Sequence, residues 1–416
     1  MKVSWQRSII LLFICFYACK NAPQDNQYNT DQFRIEEGNN SQKISVRNPA
    51  ENNDYITVSF DRSTLSTKTT ADYSELIDTV FYIPLETNIE CPISIIDQII
   101  IFNQNIYLTD WNTKQLYKFN NKGEFLKRVG DMGRGPEERL TLSHFEIIND
   151  EIVIWDGRSN QMFYYDLDGI FVRKQSIPMR MSQFARVDDS LFVADIATRG
   201  NFHLKELVNS KLLFFTNNWK VEGKGDHYNA AKETDVSFAR KVLRNTPEGL
   251  LYNPSVDYYI YTIDSDWIKR KYFIDVGDMR IPDGAAIGET LDGFSAKYLG
   301  NNQFTYVARF VETRDHLVLS LLWNNTHIPL FYSKNTGNTR SFRYFKPVSI
   351  YPIPIAYPIG QTDSLIIGSI AAVSIVGYLD QTDSTKPPCD PLVKEVFTRV
   401  RQEDNPVIVL LKLREF

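Results

Sequence analysis

Two stretches that superimpose without a gap decide the fold of this chain. Residues 106–126 read IYLTDWNTKQLYKFNNKGEFL, and residues 152–172 read IVIWDGRSNQMFYYDLDGIFV. In both stretches an apolar run ends at an aspartate, which is Asp110 in the first copy and Asp156, 46 positions later, in the second. A repeat of roughly 40–50 residues built from short strands is typical of the blades of a β-propeller.

Each copy predicts strands joined by tight turns. A second apolar run follows the aspartate and leads to a turn that ends at Gly123 or Gly169, where glycine tolerates the positive φ that a hairpin turn needs. A weaker third copy starts at Leu191. Later strands are predicted from the pattern of apolar runs alone, at residues 250–254, 258–263, 271–276, 304–310, 316–322, 328–332, 364–368 and 407–413.

The composition agrees with an all-β chain. Aromatic residues make up 13% of the sequence, with 22 Tyr and 26 Phe, and such side chains suit half-buried pleated surfaces. We therefore predict an all-β six-bladed β-propeller over residues 73–416, with seven blades as the alternative. One helix near the C-terminus is predicted to begin at Asp390-Pro391 and to end before Asn405-Pro406.

The two ends of the predicted domain supply strands that can share one blade. A propeller avoids an open edge when strands from both chain ends pair with each other. We expect residues 80–85 and 407–413 to close the ring in this way. Cys91 and Cys389 flank these strands, so they form either a disulfide that staples the closing blade or two separate buried thiols, of which the thiols are favoured.

The N-terminus predicts export. Two basic residues precede an apolar run over residues 9–18, which is long enough for a signal peptide but shorter than the roughly 20 residues of a membrane-spanning helix. Ala18 directly before Cys19 indicates a bacterial lipoprotein signal peptide over residues 1–18, with the lipid carried by Cys19. An ordinary cleaved signal or an uncleaved anchor is the alternative.

The segment after the signal peptide predicts a link between lipid and domain. Residues 19–72 are rich in Asn, Gln, Asp, Ser and Thr, so we expect a flexible tether with one candidate short strand at residues 55–60. The lipid would hold the protein to the cell envelope, at the outer membrane on its periplasmic or surface side. A net charge of -5 leaves no basic excess to bind nucleic acid.

Several segments resemble a known family, the six-bladed β-propeller lipoproteins of Bacteroides-type bacteria, a TolB- and NHL-like group. The similar segments are residues 76–87, residues 119–123 leading into 130–138, and residues 405–410. The resemblance covers about residues 73–416, and its most specific element is the Gly133–Glu137 loop. It departs at Arg139-Leu140, where the family usually has an aromatic residue. The resemblance implies a propeller in the cell envelope and implies no particular reaction.

The candidate ligand site is a set of loops at one end of the ring. A glycine-rich loop spans residues 130–138, and two other loops directly follow the repeated aspartates. We predict that Trp111, Arg134, Glu137 and Arg158 share a mouth in which an aromatic platform and ionic groups bind a glycan, a peptide or an envelope protein. The structural alternatives are an inter-blade turn for the glycine-rich loop and a turn cap for each aspartate.

The sequence favours a binding module over an enzyme. It contains no Gly-x-Ser-x-Gly elbow, and its five histidines include no i, i+2 or i, i+4 pair that would mount zinc on a strand or helix. We predict no cofactor and no metal, and catalytic residues cannot be assigned. The alternative function is a metal-dependent hydrolase or lyase with its site in the central channel, where each blade contributes one residue.

Overall fold

The computed structural model describes residues 45–66, 70–71, 73–196, 201, 203–204, 209–229, 232–233, 241–299, 301, 303–345, 357–380 and 391–416. In this part of the chain, six small sheets follow one another and stand in a ring, which forms a six-bladed β-propeller. The predicted fold class is confirmed, and the blade count is six.

The first described segment carries short strands and ends in a long one. The strands are β1 (Ser45–Arg47), β2 (Pro49–Ala50), β3 (Ile56–Ser59), β4 (Thr70–Ala71) and β5 (Ile77–Pro84). A 3-10 turn at Arg62–Leu65 lies between β3 and β4, and the helical turn α1 (Tyr73–Leu76) directly precedes β5.

Blades 1 and 2 are the two sequence repeats. Blade 1 consists of β6 (Ile96–Phe102), β7 (Asn105–Asp110), β8 (Leu116–Asn120) and β9 (Phe125–Val129). Blade 2 consists of β10 (His144–Ile148), β11 (Glu151–Asp156), β12 (Gln161–Asp166) and β13 (Phe171–Ser176). The turn glycines Gly123 and Gly169 have φ values of 86° and 72°, as the repeat predicts.

Blades 3 and 4 repeat the same antiparallel order. Blade 3 consists of β14 (Gln183–Arg186), β15 (Leu191–Asp195), β16 (Ser210–Thr216) and β17 (Val221–His227). Blade 4 consists of β18 (Leu243–Thr246), β19 (Gly249–Tyr252), β20 (Tyr259–Ile263) and β21 (Ile268–Asp275). The weak third copy at Leu191 is therefore the second strand of blade 3, the position that its sequence predicts.

Blade 5 follows a connection that contains short helical turns. These are a 3-10 turn at Gly277–Met279, α2 (Leu291–Phe294) and a π-helical turn at Ser295–Leu299. The blade consists of β22 (Thr305–Glu312), β23 (His316–Trp323), β24 (Thr326–Ser333) and β25 (Thr339–Ser341). The short strand β26 (Tyr344–Phe345) pairs with β4 beside it.

Blade 6 closes the ring with strands from both ends of the domain. It consists of β27 (Gly360–Gln361), β28 (Ile366–Ile370), β29 (Val407–Leu413) and the N-terminal strand β5. Strand β29 pairs with β5 from Val407 opposite Pro84 to Leu413 opposite Ile77. The predicted closure is confirmed.

Two helices lie between β28 and β29. They are α3 (Ala372–Asp380), which the sequence analysis did not predict, and α4 (Pro391–Thr398), which it did. The Phe397 ring of α4 is fully buried, and its centroid lies 4.9 Å from that of Tyr82 on β5. The predicted helix therefore packs directly on the closing blade.

The middle strands of each blade are buried on both faces. Side chains alternate between the two faces of a strand, so Ile152 and Ile154 of β11 pack towards blade 1 while Val153 and Trp155 pack towards blade 3. Six separate apolar clusters result, one at each of the six blade interfaces. This two-sided burial explains why the repeat reads as near-continuous apolar runs.

The N-terminal strands extend blades 3 and 4. Strand β1 pairs in parallel with β17, and β2 and β3 pair in parallel with β21. The candidate strand at residues 55–60 is β3, and Val58 and Phe60 are buried against blade 4. The tether expected over residues 19–72 therefore has an ordered part from Ser45 onwards. Polar composition did not reveal it because backbone pairing to an open outer edge stabilises this segment.

A buried asparagine joins the closing blade to blade 1. Asn405 Oδ1 accepts a hydrogen bond from the Ile93 amide over 2.8 Å, and its Nδ2 donates to the carbonyls of Glu86 (2.7 Å) and Cys91 (2.8 Å). Cys91 is buried in this contact. Cys389 lies outside the described residues, so the choice between a disulfide and two thiols stays a prediction.

Replacing Asn405 by alanine should lower the free energy of unfolding by about 1–3 kcal/mol, because buried backbone groups of Ile93, Glu86 and Cys91 would lose partners. Urea unfolding followed by tryptophan fluorescence measures this change. Asn121 is an exposed turn residue and gives a matched control. Asn121→Ala should alter stability by less than about 0.5 kcal/mol; equal effects of the two substitutions would contradict the role of Asn405.

Candidate functional site

One end of the ring carries the four residues of the predicted ligand site. Neighbouring strands within each blade are antiparallel, so the loops between second and third strands and the loops that join consecutive blades emerge at the same end. We call this end the loop face. Trp111 and Arg158 lie in loops of the first kind, and Arg134 and Glu137 lie in a loop of the second kind. The four residues share the loop face of blades 1 and 2, and their role in ligand binding stays a prediction.

Trp111 differs from the other three residues in exposure. Its ring is partly buried, and Lys114 Nζ lies 3.3 Å from the ring centroid in a cation–π contact. Arg134, Glu137 and Arg158 are exposed. A ligand that stacks on Trp111 would therefore have to share or displace the lysine.

The glycine-rich loop uses its own polar groups internally. The Gly135 amide donates to Glu138 Oε2 over 2.7 Å, and the Gly133 amide donates to the Arg139 carbonyl over 3.0 Å. Arg139 is fully buried, and it donates to the Val129 carbonyl (3.0 Å) and to Gln115 Oε1 (2.9 Å) of blade 1. Arg139, which stands where the resembled family has an aromatic residue, thus anchors the loop. This is the geometry of an inter-blade turn.

The repeated aspartates cap turns. Asp110 Oδ1 accepts from the amides of Ser94 (2.8 Å) and Ile95 (2.9 Å), and its Oδ2 accepts from the Thr113 amide (2.7 Å). Burial opposes ionisation of Asp110, but these hydrogen bonds outweigh it and lower its pKa. Asp156 holds the equivalent loops of blade 2. The same residue type therefore recurs because it ties the incoming loop of a blade to the loop after its second strand.

A cavity of about 550 Å³ opens on the loop face between blades 3 and 4. Its volume falls within the roughly 300–1,000 Å³ of small-molecule sites. Tyrosines and charged side chains dominate its wall, among them Lys211, Tyr228, Tyr252, Asp257, Tyr261 and Arg280. The wall includes none of the four residues predicted from the sequence.

Two carboxylates, Asp257 in the cavity wall and Asp226 next to it, are held by hydroxyl groups and one ammonium group. Tyr252 donates to Asp226 Oδ2 over 2.6 Å, and Tyr261 donates to Asp257 Oδ2 over 2.8 Å. Lys211 Nζ lies 3.4 Å from Asp226 Oδ2. Burial, with a contribution from Asp226, raises the pKa of Asp257. Burial alone would lower the pKa of Lys211, but the charges of Asp226 and Asp257 outweigh it and raise that pKa.

The central channel, lined by the first strand of each blade, has a basic wall. Lys241 lies two residues before the start of β18 in blade 4, and its Nζ lies 2.9 Å from Gln98 Oε1 and 3.1 Å from His144 Nδ1. Because Gln98 belongs to blade 1, across the ring, the lysine side chain spans the channel. Lys241 and Arg244 keep partial exposure to this narrow space, yet protein surrounds them closely. Burial lowers the pKa of Lys241 to about 8 and that of Arg244 to about 10.

Polar side chains on the first strands join consecutive blades. Gln98 Nε2 donates to the Phe145 carbonyl (2.7 Å), and His144 Nε2 donates to the Phe184 carbonyl (2.9 Å). Gln183 Nε2 donates to the Leu243 carbonyl in the same way. Since Nε2 of His144 faces a carbonyl, it carries the proton, and Nδ1 accepts from Lys241. His144 is therefore a neutral link between blades 2 and 3.

A buried carboxylate joins blades 4 and 5 at the end opposite the loop face. Glu312 is fully buried and accepts from Tyr272 (2.6 Å), Lys271 (2.9 Å) and Thr246 (2.8 Å). Lys334 Nζ lies 3.1 Å from the same carboxylate. With every oxygen engaged by a donor, Glu312 has the contacts of a structural ion cluster.

The channel does not favour the metal-dependent alternative. Among the described residues, no three or more His, Cys, Asp or Glu side chains are arranged to hold a metal ion. Lys241, Arg244 and Arg309 place positive charges where a metal cation would have to bind.

The fold and the cavity together define a class, a six-bladed β-propeller with a ligand-sized polar cavity on its loop face. The chain belongs to the family described as a domain of unknown function, DUF4934, which it matches over residues 62–412. None of the curated proteins is similar enough in sequence to match it.

Two solved structures from Bacteroides species share the fold. A protein described as exported, from Bacteroides fragilis, superimposes with a TM-score of 0.71 at 17% identity, covering 86% of this chain and 99% of that one. A member of the DUF4221 family from Bacteroides vulgatus superimposes with a TM-score of 0.50 at 11% identity, covering 82% of this chain and 98% of that one. Within the described part of the chain, no helix has both the length and the apolarity to cross a membrane.

Sequence reasoning missed both the cavity and the basic channel. The run Tyr258-Tyr259-Ile260-Tyr261 was predicted only as a strand, although three tyrosines in four positions could have signalled an aromatic wall. Lys241 and Arg309 stand in no recognisable motif. Each becomes part of a site only because the ring brings separate blades together.

Acidification from about pH 7 to about pH 5 should destabilise the protein. Burial lowers the pKa of His144, His316 and His327, so the unfolded chain, with a His pKa near 6.5, takes up protons before the folded chain does. The free energy of unfolding should fall by about 1–2 kcal/mol across this window.

Urea titrations at several pH values measure this change. The free energy of unfolding should depend less steeply on pH in His144→Gln than in the parent protein. Lys241 contributes nothing in this window, because with a pKa of about 8 it is charged in both states below pH 7. Stability that is flat or that rises on acidification would contradict the prediction.

Proposed function

We propose that the protein is an exported, lipid-anchored module of the cell envelope that binds a glycan in the cavity between blades 3 and 4. The observation that carries the proposal is the wall of this cavity, where tyrosine rings stand beside carboxylate, ammonium and guanidinium groups. The proposal moves the ligand from the mouth of blades 1 and 2 to the neighbouring pair of blades on the same face.

The chemistry of the wall supports a sugar ligand. A sugar offers C–H faces that pack on aromatic rings and hydroxyl groups that both donate and accept hydrogen bonds. Asp257 supplies acceptor oxygens, and Lys211 and Arg280 supply donors, so both kinds of sugar hydroxyl contact can be met. The wall carries charges of both signs, which suits a polar and uncharged ligand better than a strongly acidic or basic peptide.

Export and anchoring rest on the N-terminal sequence. Residues 1–18 have the order of a lipoprotein signal peptide, and Cys19 follows the small Ala18. The Bacteroides fragilis relative in fold is itself described as exported, which supports the same location for this chain.

The cavity predicts which substitutions weaken glycan binding. A glycan array on the purified full chain should identify a ligand, whose affinity is then measured by calorimetry. Tyr228→Ala and Arg280→Gln should each weaken it about tenfold, the equivalent of about 1.4 kcal/mol. Trp111→Ala, a matched aromatic change on the loop face of blade 1, should leave the affinity unchanged.

Two outcomes would contradict this placement of the site. Loss of binding in Trp111→Ala but not in Tyr228→Ala would return the site to the mouth of blades 1 and 2. Selection of peptides but no glycan in parallel arrays would overturn the ligand class. Thermal melting of each variant confirms that it is folded.

The lipid anchor has its own test. Cys19→Ala should abolish incorporation of labelled palmitate and move the protein from the membrane fraction to the soluble fraction after cell lysis. Cys15→Ala is the matched control, because Ile14 before it does not suit lipoprotein processing. Membrane association that survives Cys19→Ala would favour the uncleaved anchor instead.

A further inference from the structure

Three cationic side chains from blades 4 and 5 meet in the central channel. Lys241 and Arg244 come from the start of blade 4, and Arg309 comes from the first strand of blade 5. Arg244 reaches across to blade 6, where its Nη1 lies 3.2 Å from Gln361 Oε1. The Arg309 guanidinium stacks on the Tyr357 ring, 3.9 Å from its centroid. These side chains extend into the shared space and not along their own strands.

Among the described residues, Lys241 and Arg244 make their hydrogen bonds with neutral atoms. Lys241 Nζ donates to Gln98 Oε1 and His144 Nδ1, and Arg244 Nη1 donates to Gln361 Oε1. The carboxylates of Asp97 and Glu146 act electrostatically on Lys241, and Glu146 also acts on Arg244. A buried cation that has no carboxylate in direct contact is costly, so a bound anion would stabilise both side chains.

One polar atom in the cluster points to a ligand. Arg244 Nε is buried and has no hydrogen-bond partner among the described residues. A buried N–H of a guanidinium group is costly to leave unpaired, and its natural partner is an oxyanion. Burial, and after it repulsion by the charge of Arg309, lowers the pKa of Arg244.

We propose that the central channel is a binding site for a small oxyanion, held by the guanidinium groups of Arg244 and Arg309 with Lys241 above them on the loop-face side. A phosphate, sulfate or carboxylate group presents several oxygens to guanidinium N–H groups, which a halide cannot do. The anion places a negative charge beside Lys241 and Arg244 and supplies Arg244 Nε with an acceptor. This site uses none of the wall residues of the glycan cavity, so its test is independent of the test of glycan binding.

Titration calorimetry and thermal melting of the full chain at low ionic strength test the site. The probes are inorganic phosphate, sulfate and glucuronate, which separate a free inorganic anion from a carboxylate on an organic molecule. At least one probe should bind and raise the melting temperature of the parent protein. Sodium chloride at equal ionic strength should not reproduce the shift.

The decisive variant is Arg244→Gln. It should weaken anion binding at least tenfold and abolish the anion-dependent rise in melting temperature, while melting no lower than the parent without anion, because it removes a poorly paired buried charge. Arg309→Lys keeps the charge but removes the planar fork, so it should weaken binding with the fold intact. Arg314→Gln is the matched control, since Arg314 is an exposed partner of Asp363, and it should bind like the parent.

Three results would overturn the proposal. They are no binding of any probe by the folded parent, equal weakening in Arg244→Gln and Arg314→Gln, and an Arg244→Gln protein that binds the anion normally. If Arg244→Gln fails to fold, the anion affinity of Arg309→Lys decides between the outcomes. An unchanged anion affinity in Arg309→Lys rejects the site. A weakened anion affinity together with a parent-like circular dichroism spectrum supports it.

Discussion

Face-to-face packing of sheets is the interaction on which the rest of this structure depends. Each middle strand sends alternate side chains to opposite neighbours, so Ile154 and Trp155 on one strand belong to two different apolar clusters. No blade can bury both of its faces alone, because each face needs the next sheet. The ring therefore forms as a cooperative whole, and closing it by pairing β5 with β29 gives the last blade its neighbour.

Hydrogen bonds between polar side chains and the neighbouring blade fix the relative positions of the blades, which apolar packing alone does not specify. Gln98, His144 and Gln183 each reach the first strand of the next blade, and Asn405 joins the closing blade to blade 1. Buried amides and imidazoles of this kind are satisfied only in one arrangement of the blades, so they add specificity to the apolar interfaces. His144 uses both ring nitrogens in these links, since Nε2 donates to the Phe184 carbonyl and Nδ1 accepts from Lys241.

The channel and the loop face differ in chemistry because they are built from different parts of the blades. The channel takes side chains from first strands and from the residues just before them, and here that choice gathers Lys241, Arg244 and Arg309. The loop face takes side chains from connecting segments and from the strand ends beside them, and between blades 3 and 4 these bring tyrosines next to Asp226 and Asp257. One fold thus offers a basic interior and a mixed polar cavity, separated by the apolar packing of the blades.

The sequence by itself determined the blade. The 46-residue repeat, the aspartates that cap turns and the glycines of the hairpins are local features, because strand period, turn geometry and capping depend on a few neighbouring residues. It also determined the closing strands and helix α4. Only the tertiary structure decided that residues 45–59 lie along the outer edges of blades 3 and 4, and which charged residues meet. Those outcomes depend on contacts between residues far apart in sequence, such as Lys241 and Gln98, which are separated by 143 positions. A local sequence pattern does not specify such contacts, because they form only when the ring brings separate blades together.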